Sequence, residues 1–312
     1  MKLAIQNLRQ GWQTGRKKLS RRILHWRMRG QPEADILAAE RKLRGVEQFD
    51  KLQRADIVVV SFGKSGRTWL RVMISHLFRL KYDLPENAVL GFDNFHNLNR
   101  DVPKTFFTHD NYIKDFTGDF SSKTPFYDKR VILLARDPRD VAVSQFFQWK
   151  FRLKTSKVAI NNYPPRDSEI SLFDFVMGDN GGSMQAVTDY LNLWARESHK
   201  LEHFHLLRYE DLRARPREEL RSLLDFMQVD ATDAQVNGAV DYSSYENMKK
   251  MESAQQFRMA GGRMMPRDKN NPDSYKVRRA KVGGYRDYFT DEEVAAIDRR
   301  LADTLDPMFN YH

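Results

Sequence analysis

The segment at positions 58–71, VVVSFGKSGRTWLR, limits the possible folds of this chain more than any other part of its sequence. Its apolar start predicts a buried strand that ends near Phe62, and a helix is predicted from about Arg67. Between them, Gly63 and Gly66 permit a tight turn, so that backbone N–H groups and a helix N-terminus point at one place and create an anion site. Three residues of the turn add side-chain donors: Lys64, Ser65 and Thr68. A complete Walker A loop is excluded, because position 58 is valine instead of glycine, and an ordinary turn between a strand and a helix is the alternative.

Short apolar runs that favour strands recur along the chain and alternate with helical patterns. The predicted strands are 57–62, 105–108, 131–135 and 204–208. The predicted helices are 33–49, 68–80, 138–151, 186–200, 216–227 and a last one through 301, opened by a capping box of Thr290 and Glu293. This alternation is typical of an α/β fold with a central parallel sheet flanked by helices. The chain has no cysteine, so no disulfide or thiolate metal site is expected.

The first thirty residues carry most of the excess positive charge. They contain nine lysine and arginine residues and no carboxylate, in a chain with a formal net charge of +10. The remainder is therefore nearly neutral, and binding to nucleic acid is not expected. We divide the chain into a basic N-terminal segment, 1–31, and a single domain, 32–312.

This N-terminal segment has the pattern of an amphipathic helix. On a helix its apolar residues fall on one narrow face: Ile5, Leu8, Trp12, Leu19, Ile23 and Trp26. A cationic helix with such a face is typical of segments that lie on an anionic membrane surface. Docking of the helix on its own domain or on a partner, and a mitochondrial-type presequence, are the alternatives.

A second strand–turn–helix unit carries candidate phosphate ligands. The predicted strand at 131–135 is followed by Arg136-Asp137-Pro138, and the helix continues beyond Ser144. Arg136 at the strand end and Ser144 two turns into the helix are placed so that both can hold one phosphate group.

Together, RDPRDVAVSQF and FGKSGRTW resemble two ordered motifs of the sulfotransferase family. The resemblance implies a P-loop NTPase-like α/β fold and 3′-phosphoadenosine 5′-phosphosulfate (PAPS) as co-substrate. It implies that Arg136 and Ser144, eight residues apart, bind the 3′-phosphate. It also implies that one loop binds the 5′-phosphosulfate, and the loop residues are Lys64, Ser65, Gly66, Arg67, Thr68 and Trp69.

Later segments extend the resemblance over residues 57–301. THD at 108–110 matches the segment that supplies the family's catalytic histidine, here His109. RYEDL and SSYENMK resemble the adenine-binding segments, and the residues implied are Tyr209, Ser243 and Tyr245. RRAKVGGYRDYFT resembles the basic segment that closes over the 3′-phosphate, with contacts implied from Arg278, Arg279 and Ala280.

The resemblance implies transfer of a sulfuryl group from PAPS to a hydroxyl or amine of an acceptor, without a metal ion. His109 would act as general base, and Lys64 would neutralise the leaving oxygen. The sequence departs from many members of the family at Arg67, where they have threonine, and at Phe107, where cytosolic small-molecule members often have a second catalytic lysine. A P-loop kinase or nucleotide-binding protein, and a non-catalytic membrane-associated nucleotide binder, are the alternative functions.

The acceptor is the least determined part of this prediction. A lipid, glycolipid, saccharide or small molecule is compatible with the sequence, and a lipid or glycolipid is favoured if the N-terminal segment binds membrane. Two long segments without clear periodicity, 152–185 and 250–277, are predicted to form lids over the acceptor. We expect a cytoplasmic enzyme that is peripheral on the inner face of the membrane.

Overall fold

The computed structural model describes residues 2–86, 88–255, 268 and 270–311, and within these it leaves out the side chains of 2–14 and of 272. The middle of the second predicted lid segment, 256–267, and the methionines within it therefore lie outside the described residues. Within the described part of the chain, no helix is both long enough and apolar enough to cross a bilayer.

Thirteen α-helices and four β-strands are described in this part of the chain. In chain order they are α1 (Lys2–Arg27), α2 (Glu33–Gln53), β1 (Ile57–Val60), α3 (Arg67–Tyr82), α4 (Asn94–Leu98), β2 (Thr105–Thr108), α5 (Ile113–Thr117), β3 (Arg130–Ala135), α6 (Pro138–Phe151), α7 (Leu172–Met177), α8 (Met184–Ser198), β4 (His203–Arg208), α9 (Tyr209–Ala214), α10 (Pro216–Met227), α11 (Asp233–Tyr242), α12 (Tyr245–Ser253) and α13 (Asp291–Thr304).

The four strands form one parallel sheet in the order β2-β1-β3-β4. From β1 the chain crosses to β2 on one side, and from β3 it crosses to β4 on the other side. The order therefore reverses between β1 and β3, and their carboxyl ends border a crevice of the kind in which α/β proteins bind ligands.

Helices pack on both faces of the sheet. Because successive strand residues point to opposite sides, each strand contributes to both of these packed layers. Ile57 and Val59 pack with α3, α10 and α11, whereas Val58 and Val60 pack with α2, α6, α8 and α13. All four residues of β1 are almost completely buried, and this explains the unbroken apolar run in the sequence. The predicted α/β fold, its four strands and the capping box before α13 are confirmed.

Helix α2 approaches the backbone of α5 closely because residue 45 is glycine. A Cβ atom built on Gly45 would fall on the carbonyl oxygen of Tyr112 and lie 2.7 Å from the Cβ of Phe116. Any larger residue would therefore force α2 away from α5 and from the loop that follows β2.

Replacing Gly45 with alanine is expected to lower the free energy of unfolding by about 1–3 kcal/mol, because the new methyl group overpacks this contact. Thermal unfolding would show it as a lower midpoint. Gly15→Ala is the control, because no atom lies within 4 Å of the added Cβ in α1 and alanine favours helices. An equal or higher midpoint in Gly45→Ala would contradict the close packing.

Candidate active site

A cavity of about 1100 Å³ opens at the carboxyl end of the sheet. The residue or loop after each strand reaches its wall: Lys64 after β1, His109 after β2, Arg136 after β3 and Tyr209 after β4. The parallel sheet thus brings together four residues that are far apart in the sequence.

The loop after β1 adopts a backbone conformation that few residues tolerate. Lys64 and Gly66 have φ angles of 73° and 93°, and Gly66 caps the N-terminus of α3. A Cβ atom on Gly66 would lie 2.6 Å from Cδ2 of Tyr209, so only glycine fits against this ring. The loop therefore presents the N-terminal N–H groups of α3 to the cavity, as expected of an anion site.

Arg136 lies beside this loop, and its guanidinium is held from several sides. Nη1 donates to the carbonyl of Lys64 at 3.3 Å, and Nη2 donates to the carboxylate of Asp140 and to the carbonyl of Lys281 at 3.3 Å each. The guanidinium also lies 4.4 Å from the ring centroid of Tyr209. Arg136 and the loop lysine thus belong to one site.

The carboxylate of Asp140 also anchors the late basic segment. It accepts hydrogen bonds from the backbone N–H groups of Gly283 and Tyr285, at 3.0 Å each. Upstream, the hydroxyl of Tyr245 donates to the carbonyl of Arg278 at 3.0 Å. These bonds bring the cations of residues 276–281 to the mouth of the loop.

Five cations surround the loop with few acids between them. Beside Lys64 and Arg136, the cluster contains Arg152, Lys276 and Arg278. Burial, together with repulsion from Arg152, Lys276, Arg278 and Arg136, holds the pKa of the Lys64 ammonium well below its usual range. For Lys276, burial and then Arg152 lower the pKa to about 7. Like charges that are partly withdrawn from water in this way are stabilised when an anion binds among them.

His109 is partly buried at the wall of the same cavity, and its tautomer follows from its contacts. Nδ1 lies 2.7 Å from the carbonyl oxygen of Ser61, so it must donate a proton. Nε2 lies 2.6 Å from Nη2 of Arg67, so it must accept one. Burial and the charge of Arg67 hold the pKa of the imidazole well below its usual range. The ring is therefore neutral at pH 7, with its lone pair on Nε2.

Most of the other predicted site residues also line the cavity. These are Gly66, Arg67, Thr68, Trp69, Ser144, Tyr245, Arg278 and Ala280. Three are not part of this wall. Ser65 is buried, and Arg279 is exposed and paired with Asp287. The hydroxyl of Ser243 donates to the carbonyls of Ala239 and Val240 in α11. The backbone carbonyl of Ser243 accepts from Nε1 of Trp69 at 2.7 Å. These assignments stay predictions.

Sequence reasoning missed several residues that shape the site. Arg152 and Lys276 complete the cation cluster, and the fully buried Glu252 accepts from the guanidinium of Arg152 and from the backbone N–H groups of Lys276 and Val277. Gln145 ties α6 to the loop, because its side-chain N–H donates to the carbonyl of Gly63 at 2.8 Å. Only Gln145 had a local signal, since it follows Ser144 directly.

Comparison with known proteins agrees with this architecture. Residues 54–308 match the model of the sulfotransferase domain. Cytosolic sulfotransferase 1 of Arabidopsis thaliana is 26% identical over 282 residues, which cover 81% of this chain and 79% of that protein. Flavonol 3-sulfotransferase of Flaveria bidentis is 24% identical over 277 residues, which cover 83% of this chain and 84% of that protein.

Solved structures share the fold at lower sequence identity. Mouse sulfotransferase SULT7A1 complexed with PAP superposes with a TM-score of 0.51 at 18% identity, covering 83% of this chain and 89% of that chain. Retinol dehydratase in a complex with retinol and PAP gives a TM-score of 0.53 at 16% identity, covering 84% and 85% of the two chains. The family model covers most of the sequence, and the chain belongs to the sulfotransferase domain family.

Proposed function

We propose that this chain transfers a sulfuryl group from PAPS to a hydroxyl group of an acceptor. The observation that carries the proposal is that one cavity combines the cation cluster around Lys64 with the neutral, partly buried His109. The family match supports sulfuryl transfer over the kinase alternative.

The positive charge of the cluster around Lys64 is complementary to the negative charge of PAPS. This molecule carries a phosphosulfate at one end of the ribose and a phosphate monoester at the other, and a monoester alone has a charge of about −1.5 to −2 at pH 7. The partly buried cations of the cluster around Lys64 would gain charge-assisted hydrogen bonds to the phosphosulfate and to the phosphate monoester. Lys64 and the α3 N-terminus are assigned to the phosphosulfate, and Arg136, Ser144 and the late basic segment to the 3′-phosphate.

The chemistry assigned to the site needs one base and one fixed cation. The acceptor oxygen forms a bond to sulfur while the bond from sulfur to the 5′-phosphate oxygen breaks, and adenosine 3′,5′-bisphosphate leaves. Nε2 of His109 takes the hydroxyl proton, and the bond from Nδ1 to Ser61 holds the required tautomer. Lys64 offsets the negative charge that grows on the leaving oxygen.

We further propose that α1 rests on an anionic membrane. Its inner face holds the helix to α2, because Lys17 and Arg21 pair with Glu47 at 3.0 and 3.3 Å. The predicted apolar face points outward instead, and Leu19, Ile23 and Trp26 are 56%, 41% and 71% exposed. The side chains of the remaining apolar residues lie outside the described part: Ile5, Leu8 and Trp12. Because the helix docks on α2 by its polar face, the exposed apolar stripe favours contact of that stripe with a lipid surface over its packing on the domain.

Donor binding is expected to take up protons at pH 8. Lys276, with a pKa of about 7, is then mostly neutral in the free chain, and a bound anion favours its ammonium form. Affinity for adenosine 3′,5′-bisphosphate should therefore fall as the pH rises above 7. Calorimetric titration in two buffers of different ionisation enthalpy measures the uptake. Lys276→Gln should reduce it, the exposed Lys249→Gln should not, and proton release on binding would contradict the assignment.

Removing the proposed base should stop transfer without preventing donor binding. His109→Ala is expected to lower the rate of ³⁵S transfer from labelled PAPS into fractionated cell extract by about 10²–10⁴-fold. Its affinity for adenosine 3′,5′-bisphosphate should stay close to that of the wild type. The exposed His203→Ala is the control. Full transfer activity in His109→Ala would rule out the base, and failure of the wild type to bind the bisphosphate would rule out the proposed donor site.

Membrane association is expected to depend on the outward face of α1. The full chain should sediment with vesicles that contain phosphatidylglycerol and much less with pure phosphatidylcholine, because the helix is cationic. Replacing Leu19, Ile23 and Trp26 with alanine should abolish sedimentation. Met308→Ala, which removes an exposed apolar side chain elsewhere, should sediment like the wild type. Equal sedimentation of the triple variant and the wild type would disprove the membrane contact.

A further inference from the structure

The part of the cavity beyond His109 is strongly cationic, and none of the residues assigned to the donor lies in it. Its walls come from α1, α2, the loop after β2, residues 157–163 and α8. The basic residues there are Lys17, Arg21, Arg41, Arg44, Lys51, Lys114, Lys123, Lys157 and Arg196, whereas the acidic ones are Glu47, Asp110 and Asp189. Binding of a neutral acceptor would not require this excess of positive charge in the cavity wall.

Several of these cations are matched by carboxylates of the fold. Arg44 pairs with the buried Glu40, and Nε of Arg41 donates to Asp115 at 2.7 Å. Lys17 and Arg21 also pair with Glu47, Lys123 pairs with Asp110, and Arg196 of α8 pairs with Glu197. Several of these pairs hold α1, α2 and the loop after β2 together, and they explain part of the charge as structural.

Unlike the paired cations, Lys157 has no carboxylate within 4.0 Å in the described part of the chain. Its ammonium donates to the hydroxyl of Tyr112 at 3.1 Å, and that hydroxyl donates to Oδ1 of Asn161 at 2.7 Å. Burial and then the charges of Arg44 and Arg21 lower the pKa of Lys157 to about 8. Glu40 and Glu47 act in the opposite direction and offset part of this effect, so the ammonium lies at the cavity wall among both cations and more distant carboxylates.

Three cations of this part of the cavity lie around the ring of Tyr112. The charged groups of Arg41, Arg44 and Lys157 lie 5.4, 5.6 and 5.1 Å from its centroid. Lys114, two residues further on, also lines the cavity without a carboxylate within 4.0 Å among the described residues. Burial and the neighbouring Arg41 and Lys123 lower its pKa. Lysines held among cations in this way are stabilised when an anion binds between them.

We infer that the acceptor is itself anionic and carries a phosphate group in addition to the hydroxyl that receives the sulfuryl group. Lys157 binds this phosphate, with Arg21 and Lys114 contributing to the positive field. The inference rests on the proposed function, since it assumes that acceptors enter the cavity next to His109. It specifies the class of acceptor, which the family alone leaves open.

Binding of a simple phosphate ester to the acceptor end tests this inference. The full chain is first saturated with adenosine 3′,5′-bisphosphate, so that the donor end is filled, and is then titrated with glycerol 1-phosphate or with glycerol. Saturable binding is expected for the phosphate ester alone. In Lys157→Gln its dissociation constant should rise at least about tenfold, because a charge-assisted contact is lost.

The matched control is Lys154→Gln, which removes an exposed lysine from the same segment. It should bind glycerol 1-phosphate like the wild type. Absence of binding to the wild type, or equal binding by Lys157→Gln and the wild type, would overturn the inference. Binding of the bisphosphate does not depend on Lys157. If the wild type binds the bisphosphate but not glycerol 1-phosphate, this inference fails while the proposed donor site stands.

A second experiment distinguishes a lipid from a soluble acceptor. Cell extract is passed over an anion exchanger before incubation with ³⁵S-labelled PAPS, and the product is partitioned between organic and aqueous phases. Loss of labelling in the depleted extract and its recovery with the eluted fraction support an anionic acceptor, and loss of this recovery after phosphatase treatment of the eluted fraction supports a phosphate ester. Label in the organic phase then indicates a lipid acceptor and label in the aqueous phase a soluble one. Undiminished labelling of the depleted extract would contradict the inference.

Discussion

Repulsion among partly buried cations is the constraint on which this site depends. Lys64, Arg136 and Lys276 are held close together, and their mutual repulsion is offset at few points. Asp140 binds Arg136 from one side, and Glu252 binds Arg152 from the other. Both carboxylates also accept backbone N–H groups, so they fix the late segments of the chain while they offset its charge. In the proposed function, the anionic donor supplies the rest of the compensation.

Much of the fold could be predicted from local patterns. The all-apolar residues of β1 indicated a strand buried on both faces, and Gly66 before a helical pattern indicated the turn that the structure contains. Asp137 and Pro138 likewise marked the start of α6. In each case the physical cause acts over a few neighbouring residues, so the sequence carries it locally.

The parts of the site that could not be predicted are assembled across long distances. Arg152 meets Glu252 one hundred residues later, and the approach of α2 to α5 requires Gly45 opposite Tyr112. Neither contact has a local pattern. The face by which α1 docks was also not predictable, because helical periodicity shows where apolar residues gather but not that Lys17 and Arg21 find Glu47 on the domain.

The bond between Arg67 and Nε2 of His109 has a consequence for the order of events. As long as the guanidinium covers the only lone pair of the ring, a stray water molecule near the sulfur finds no group to deprotonate it. With His109 as the proposed base, an acceptor hydroxyl must displace Arg67 before it reaches the nitrogen. On that assignment, the resting site does not promote hydrolysis of PAPS by water.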